Sequence, residues 1–305
     1  MRIMRRGVVL FITLSIIAAM LAMVGAIFAY LDKSRENASY ASALIEADLL
    51  YFDSITAIDT LLKKAPKDKE AKKTVLSTLY LAPMTLQAED DEAMFTTLTC
   101  QSLDRGININ WLGLENNSSA QQYYTLSQVV FDKLVEDYNI QNAAQLLSRI
   151  KNAIGGNEGR DTGIQAGLTR KKGIIKLSQL EEIAREYRFA EDDASVEKIE
   201  WGDYFSFDTG EEMIDGSYLP AGLLSILFEI EPDVVKEEWS EGSDLRGFVS
   251  SQGGDMTFFD NKIFAKEPIE RMQCQINYGY RGNVYAFGFE YLEGKAEKFE
   301  FYGKQ

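Results

Sequence analysis

Histidine is absent from all 305 residues. That excludes serine and cysteine triads with an imidazole base, HExxH-type zinc sites and histidine acid-base work. Cysteine occurs only twice, at Cys100 and Cys274, which is too few soft ligands for a structural zinc. In an oxidising compartment the two either close one long loop as a disulfide or stay as buried thiols. Basic residues are in deficit, with Lys+Arg 32 against Asp+Glu 47 and a net charge of −15. A nucleic-acid groove needs clustered Lys and Arg, so the balance speaks against one and suits a soluble extracytoplasmic body. GxSxG and phosphate-loop motifs are also missing. The adjacent carboxylates Glu181 and Glu182, and Asp192 and Asp193, read as solvated charge, and the acidic run Glu89 to Glu92 reads as a turn. No enzymatic activity is expected.

Charge is missing altogether from Val8 to Tyr30, a run of 23 residues. At about 1.5 Å per residue, a helix of that length crosses a hydrocarbon core of about 30 Å. Arg2, Arg5 and Arg6 precede it, whereas Asp32, Lys33, Arg35 and Glu36 cancel after it, so the basic flank stays in the cytoplasm. The run is too long for the apolar region of a signal peptide, and Ile27 spoils a small-x-small cleavage site before Ala29, which points to a retained anchor. Proline is missing from Val8 to Lys64, and Leu44, Tyr51, Ile55, Ile58 and Leu62 recur at helical spacing. The simplest reading is one long helix, in lipid at its start and packed on a domain at its end, stopped near Pro66.

Further on, the pattern predicts a short helix over 71–80, a strand over 95–100, helices over 126–138 and 221–239, and a short strand within 197–207. Ser178 with Glu181 three residues later forms a capping box opening another helix. After the Gly/Ser-rich passages at 240–243 and 250–254, apolar residues alternate through Met272 to Tyr280 and Tyr285 to Tyr291. Turns at Arg281-Gly282 and Glu293-Gly294 make this an antiparallel meander ending in a third run at Phe299 to Phe301. The aromatic row reads as the face that packs on the long helix.

The heptapeptide Met1-Arg-Ile-Met-Arg-Arg-Gly7, joined directly to the apolar run from Val8, resembles a prepilin leader cut after the glycine by prepilin peptidase. Such families usually carry a glutamate at the fifth mature position, which here is Ile12. The branch that lacks it is the K-type minor pseudopilin of type II secretion systems. A buried carboxylate in lipid is costly and serves to meet the amino terminus of the subunit above, which a tip subunit does not have. Asp104-Arg-Gly-Ile-Asn-Ile-Asn110 is similar to that family's glycine-x-isoleucine-asparagine-x-asparagine strand end. Ile214 to Leu224 resembles its second copy, with Ile214, Pro220, Ala221 and Leu224 in register and Asp215 and Ser217 where asparagines are usual. Lys172 to Ile183 is similar to the family's serine-x-x-glutamate-leucine helix start. The family's calcium-binding aspartates correspond to Asn152, Gly155 and Asn157, so a hard cation has little to hold it; Glu158 and Asp161 stand nearby in what reads as a Gly-rich loop. Neither calcium nor any other cofactor is expected.

The resemblance implies an α+β fold: a pilin-like long N-terminal helix packed on an antiparallel sheet, with an inserted helical domain. The expected organisation is a leader at 1–7, a helix at 8–64 spanning the membrane over 8–30, a head from 65–112 and 246–305, and an insert at 113–245. The implied role is a structural subunit at the tip of a periplasmic pseudopilus, anchored once in the bacterial inner membrane. Its partners would be the I- and J-type minor pseudopilins, prepilin peptidase and the inner-membrane assembly platform, with no nucleic acid bound directly. The rival readings are a signal-anchored sensor or binding domain and the tip of a DNA-uptake or type IV pilus.

Overall fold

The computed structural model describes residues 3–64, 69–87, 95–155, 173–207 and 213–305. The fold is mixed α+β. Helix α1 (Ile3–Lys64) runs for 62 residues, about 90 Å, without a break. Helix α2 (Lys69–Leu81) follows, then a five-stranded antiparallel sheet begins with β1 (Met84–Gln87) and β2 (Phe95–Ser102). The chain leaves the sheet after β2 and returns only at β5 (Arg271–Tyr280), which pairs directly with β2. Strands β6 (Asn283–Leu292) and β7 (Lys295–Lys304) complete the order β1-β2-β5-β6-β7.

Both hairpins are two-residue turns. Arg281 and Gly282, then Glu293 and Gly294, all adopt positive φ, the twist that matches paired antiparallel strands. Alternation then sorts the sheet by face. Met272, Cys274, Ile276 and Tyr278 of β5 and Tyr285, Phe287, Phe289 and Tyr291 of β6 are buried on the side of α1, each worth roughly 1.5–3 kcal/mol of apolar transfer. Cys100 and Cys274 face each other across β2 and β5 with Cα atoms 4.1 Å apart and are joined as a disulfide.

Between β2 and β5 lies a second, helical core. It holds α3 (Gln121–Asp137), α4 (Ala143–Gly155), α5 (Leu177–Glu191), α6 (Ala221–Phe228), α7 (Pro232–Glu238) and α8 (Leu245–Ser251). A two-stranded parallel pair, β3 (Ile107–Asn108) with β4 (Phe205–Ser206), ties its start to its middle. Gly106 is required there, because a Cβ would stand 2.7 Å from the Phe205 carbonyl carbon. The asparagines of the same motif are structural. Asn108 accepts from the Asn110 backbone, and the Asn110 amide both accepts from Ile174 N at 2.7 Å and donates to its carbonyl at 2.9 Å. Packing in this core reaches from Ile107 to Phe264, on both sides of 113–245.

Three local expectations differ from the structure. The helix anticipated over 221–239 is two, because Glu229 turns left-handed with φ 53° and Pro232 opens a new helix. Ser178 is not a cap: Lys176 occupies that position, and Gln179 Oε1 instead accepts from Ile175 N. The short strand expected within 197–207 is present as the two-residue β4, preceded by the 3-10 turn Trp201–Asp203. Residues 150–155 continue α4 rather than forming a loop.

Candidate assembly surface

Every described side chain of α1 from Phe11 to Ala38 is exposed within the chain, including Phe11, Met20, Leu21, Met23 and Phe28. This is the one helix among the described residues long and apolar enough to cross a membrane, and it is compatible with a single-pass anchor. Burial starts only at Ala43. From there Ala43, Ala47, Ser54 and Ile58 are fully buried, at steps of four, seven and four. The small side chains bring the helix close to the sheet, and the Tyr278 hydroxyl donates to the Ala43 carbonyl at 2.5 Å. Tyr51 stacks edge-on against Phe289 and Phe299, with ring centroids 5.2 Å away in each case. Tyr291 donates to Asp59 at 2.6 Å. Burial raises both tyrosine hydroxyls above their ordinary value, while bonds from Lys63 and Tyr291 hold the Asp59 carboxyl below its own.

The opposite face has no covering. Ile45, Leu49 and Phe52 are 66%, 56% and 58% exposed, at steps of four and three. At 100° per residue their mean direction lies about 180° from the buried set. The three stand in a row on one face of the helix rather than as scattered exposure. Tyr40, by contrast, belongs to the sheet-facing side, where its ring stands edge-on to Phe301 with centroids 5.3 Å apart. Between Glu36 and Lys63 the helix carries acids at Glu46, Asp48, Asp53 and Asp59 and no base.

At the opposite end of the sheet, the passage between the two cores is polar and buried. Arg271 and Asp104 pair at 3.2 Å with side chains 10% and 5% exposed. Asp215 accepts from Ser102 Oγ at 3.2 Å and Ile269 N at 3.0 Å, and its own N–H donates to the Asp104 carbonyl. Desolvation pushes the Asp215 carboxyl up to about 6. Tyr80 of α2 donates to the Ile269 carbonyl, and Tyr218 shares a hydrogen bond with Ser77.

The remaining residues singled out from the sequence are dispersed. Gly7 and Val8 lie within the unbroken backbone of α1, and the side chains of Val8 and Ile12 are outside the described residues. Asn152 and Gly155 are exposed in the last turn of α4, while Asn157, Glu158, Asp161 and the acidic run at 89–92 fall outside the described residues. Among the described residues no group of three or more Asp, Glu or Cys is placed to hold a metal. Glu181 and Glu182 are exposed on α5. Asp193, in contrast, is buried and accepts from Gln141 N and Ser195 N, so it is a turn-forming group. No protein-family model matches the chain, and no curated protein shows significant similarity to it.

The stripe expected on α1 is shifted in one respect. Tyr51, Ile55, Ile58 and Leu62 pack on the sheet, but Leu44 is 39% exposed and Ala43 takes the inward place. The outward row Ile45, Leu49 and Phe52 was the residue set that periodicity could have flagged, since its spacing is as helical as that of the inward row.

Proposed function

We propose that the chain is a non-enzymatic minor pseudopilin similar to the K-type, assembling through α1 at the tip of a type II secretion pseudopilus. The observation that carries this reading is the two-sidedness of one continuous helix. One face of its outer half is closed by the aromatic sheet, and the other presents Ile45, Leu49 and Phe52 in line with an apolar span. A tether for a sensor domain needs the span but gains nothing from an uncovered apolar row beyond it, whereas a filament subunit needs that row for its neighbours' helices. The I- and J-type subunits are the natural partners, with the helical core turned away from the membrane and Ile12 leaving the upper end of the helix uncommitted. Such a subunit sits in the inner membrane with its body in the periplasm, and secretion depends on it through assembly alone.

The test is the amino-terminal sequence and intact mass of the membrane-extracted protein, made with and without a prepilin peptidase. A new terminus at Val8 that depends on the peptidase supports the proposal. A Met1 terminus under both conditions overturns it and leaves a signal-anchored domain.

A further inference from the structure

A cleft of about 540 Å³ opens on the sheet face away from α1, between that face and the start of α5. Its volume falls in the range of ligand sites. The sheet side carries outward residues of four strands, among them Gln101, Gln273, Gly288 and Tyr302. The helical side carries Leu177, Glu181 and the 200–203 turn. Tyr302 lies over Gly288, where a Cβ would stand 2.3 Å from its hydroxyl oxygen, so the glycine gives the ring its seat.

Charge decides what this cleft accepts. Three bases line it, and each has an acid: Lys176 with Glu300 across the cleft, Lys298 with Glu290 at 2.8 Å, and Arg105 with Asp203 at 3.7 Å. Five acids line it, so Glu181 and Glu200 are left without a basic partner among the described residues. The excess acid favours an occupant that brings positive charge over a neutral or acidic glycan. The other wall groups suit a backbone. The side-chain amides of Gln101 and Gln273, only 3.5 Å apart, offer donors and acceptors to peptide groups. Trp201 lines the cleft and is 4% exposed, so it contributes apolar ring surface rather than an accessible donor. A second copy of the chain is a poor occupant, since each copy carries a net −15.

We infer that this cleft binds an extended segment of another polypeptide through a lysine or arginine side chain that supplies the charge Glu181 and Glu200 lack. The sheet amides receive its backbone, and Leu177 and Tyr302 receive the aliphatic stem of the basic residue. Because the cleft and the outward row of α1 lie on opposite sides of the sheet, this binding does not depend on filament assembly.

The test uses the full chain in detergent micelles and the fluorescein-labelled, amidated peptide Thr-Ala-Lys-Ala-Thr, followed by fluorescence anisotropy. A second peptide has norleucine in place of lysine. The lysine peptide should bind about fivefold more tightly at low salt, the advantage should fade at high salt, and the Glu181→Gln, Glu200→Gln double variant should abolish it. Both glutamates are exposed, so the variant should melt as the parent does. No binding at low salt, equal binding of the two peptides, or a preference that survives the double substitution overturns the inference. Displacement of the peptide by a neutral chitin oligosaccharide at similar concentration also overturns it, in favour of a glycan site. None of these outcomes bears on cleavage after Gly7.

Discussion

The two cores of this protein close in different ways. The helical core is sealed by its own elements: Trp111, Phe131, Tyr187, Leu219, Leu224 and Phe228 are all at most 1% exposed, and neighbours from six helices cover them. The sheet core is sealed on one side by a helix whose other side is itself uncovered. Its inner row is as dry as any, with Phe287, Cys274 and Met272 at 0%, yet Ile45, Leu49 and Phe52 stand in water a helix diameter away. A core that completes itself needs nothing further. A core closed by a half-finished helix carries its unsatisfied surface outward, and this is where a partner is expected.

Three experiments sharpen that contrast. The largest effect belongs to the passage between the cores. Arg271→Met strands the buried Asp104 carboxylate, and it should cost about 3–5 kcal/mol in chemical denaturation of the detergent-solubilised chain, with the two cores ceasing to unfold together. A single unchanged transition would show that the cores are coupled elsewhere. Next comes the charge on Asp215. Its carboxyl titrates at about 6 when folded, above its ordinary value of 3.8, so the folded state holds the proton more tightly. The ionised group weakens the fold above pH 6, and the penalty disappears as pH falls through 6 toward 4. The gain on acidification should be on the order of 2 kcal/mol larger in the parent than in Asp215→Asn, read from melting temperatures across that window. Identical pH profiles would remove the buried charge from the account. The smallest effect on stability belongs to the outward row. Ile45→Ser, Leu49→Ser and Phe52→Ser together should shift the melt by about 1 kcal/mol, because all three are more than half exposed and the ring contact of Phe52 with its neighbour Tyr51 is the aromatic packing that is lost. The same variant should lose cross-linking to its neighbours in cells that assemble the complete machine. A large loss of stability would instead place these residues in the chain's own core.

Much of the sheet was legible because its signals are local and strong. Arg281-Gly282 and Glu293-Gly294 announce two hairpins, and an alternating aromatic row between them leaves little choice of register. The long helix was legible from the absence of proline. Its packing was legible only in part, since the residues that seat it most closely are Ala43, Ala47 and Ser54, which carry no apolar signal of their own. Pro232 could have split the helix anticipated over 221–239, but the apolar positions on either side keep a helical period and mask the break. Strand β1 escaped because four residues flanked by polar sequence show no period. The passage between the cores was illegible, because Asp104, Asp215 and Arg271 are far apart in sequence and look like solvated charges until the fold buries them. The cleft has the same origin: its walls are drawn from six separate stretches of chain.

The disulfide between Cys100 and Cys274 spans a sequence separation of 174 residues, and the whole helical core lies within that loop. A pull applied along α1 against the end of β7 therefore travels through the sheet and across one sulfur bridge. It never passes through the helices. Stretched out, the bypassed chain would add roughly 600 Å of slack. With the bridge intact, that length stays out of circuit, and the helical core can carry load at its own surface without becoming the weak link of the anchor.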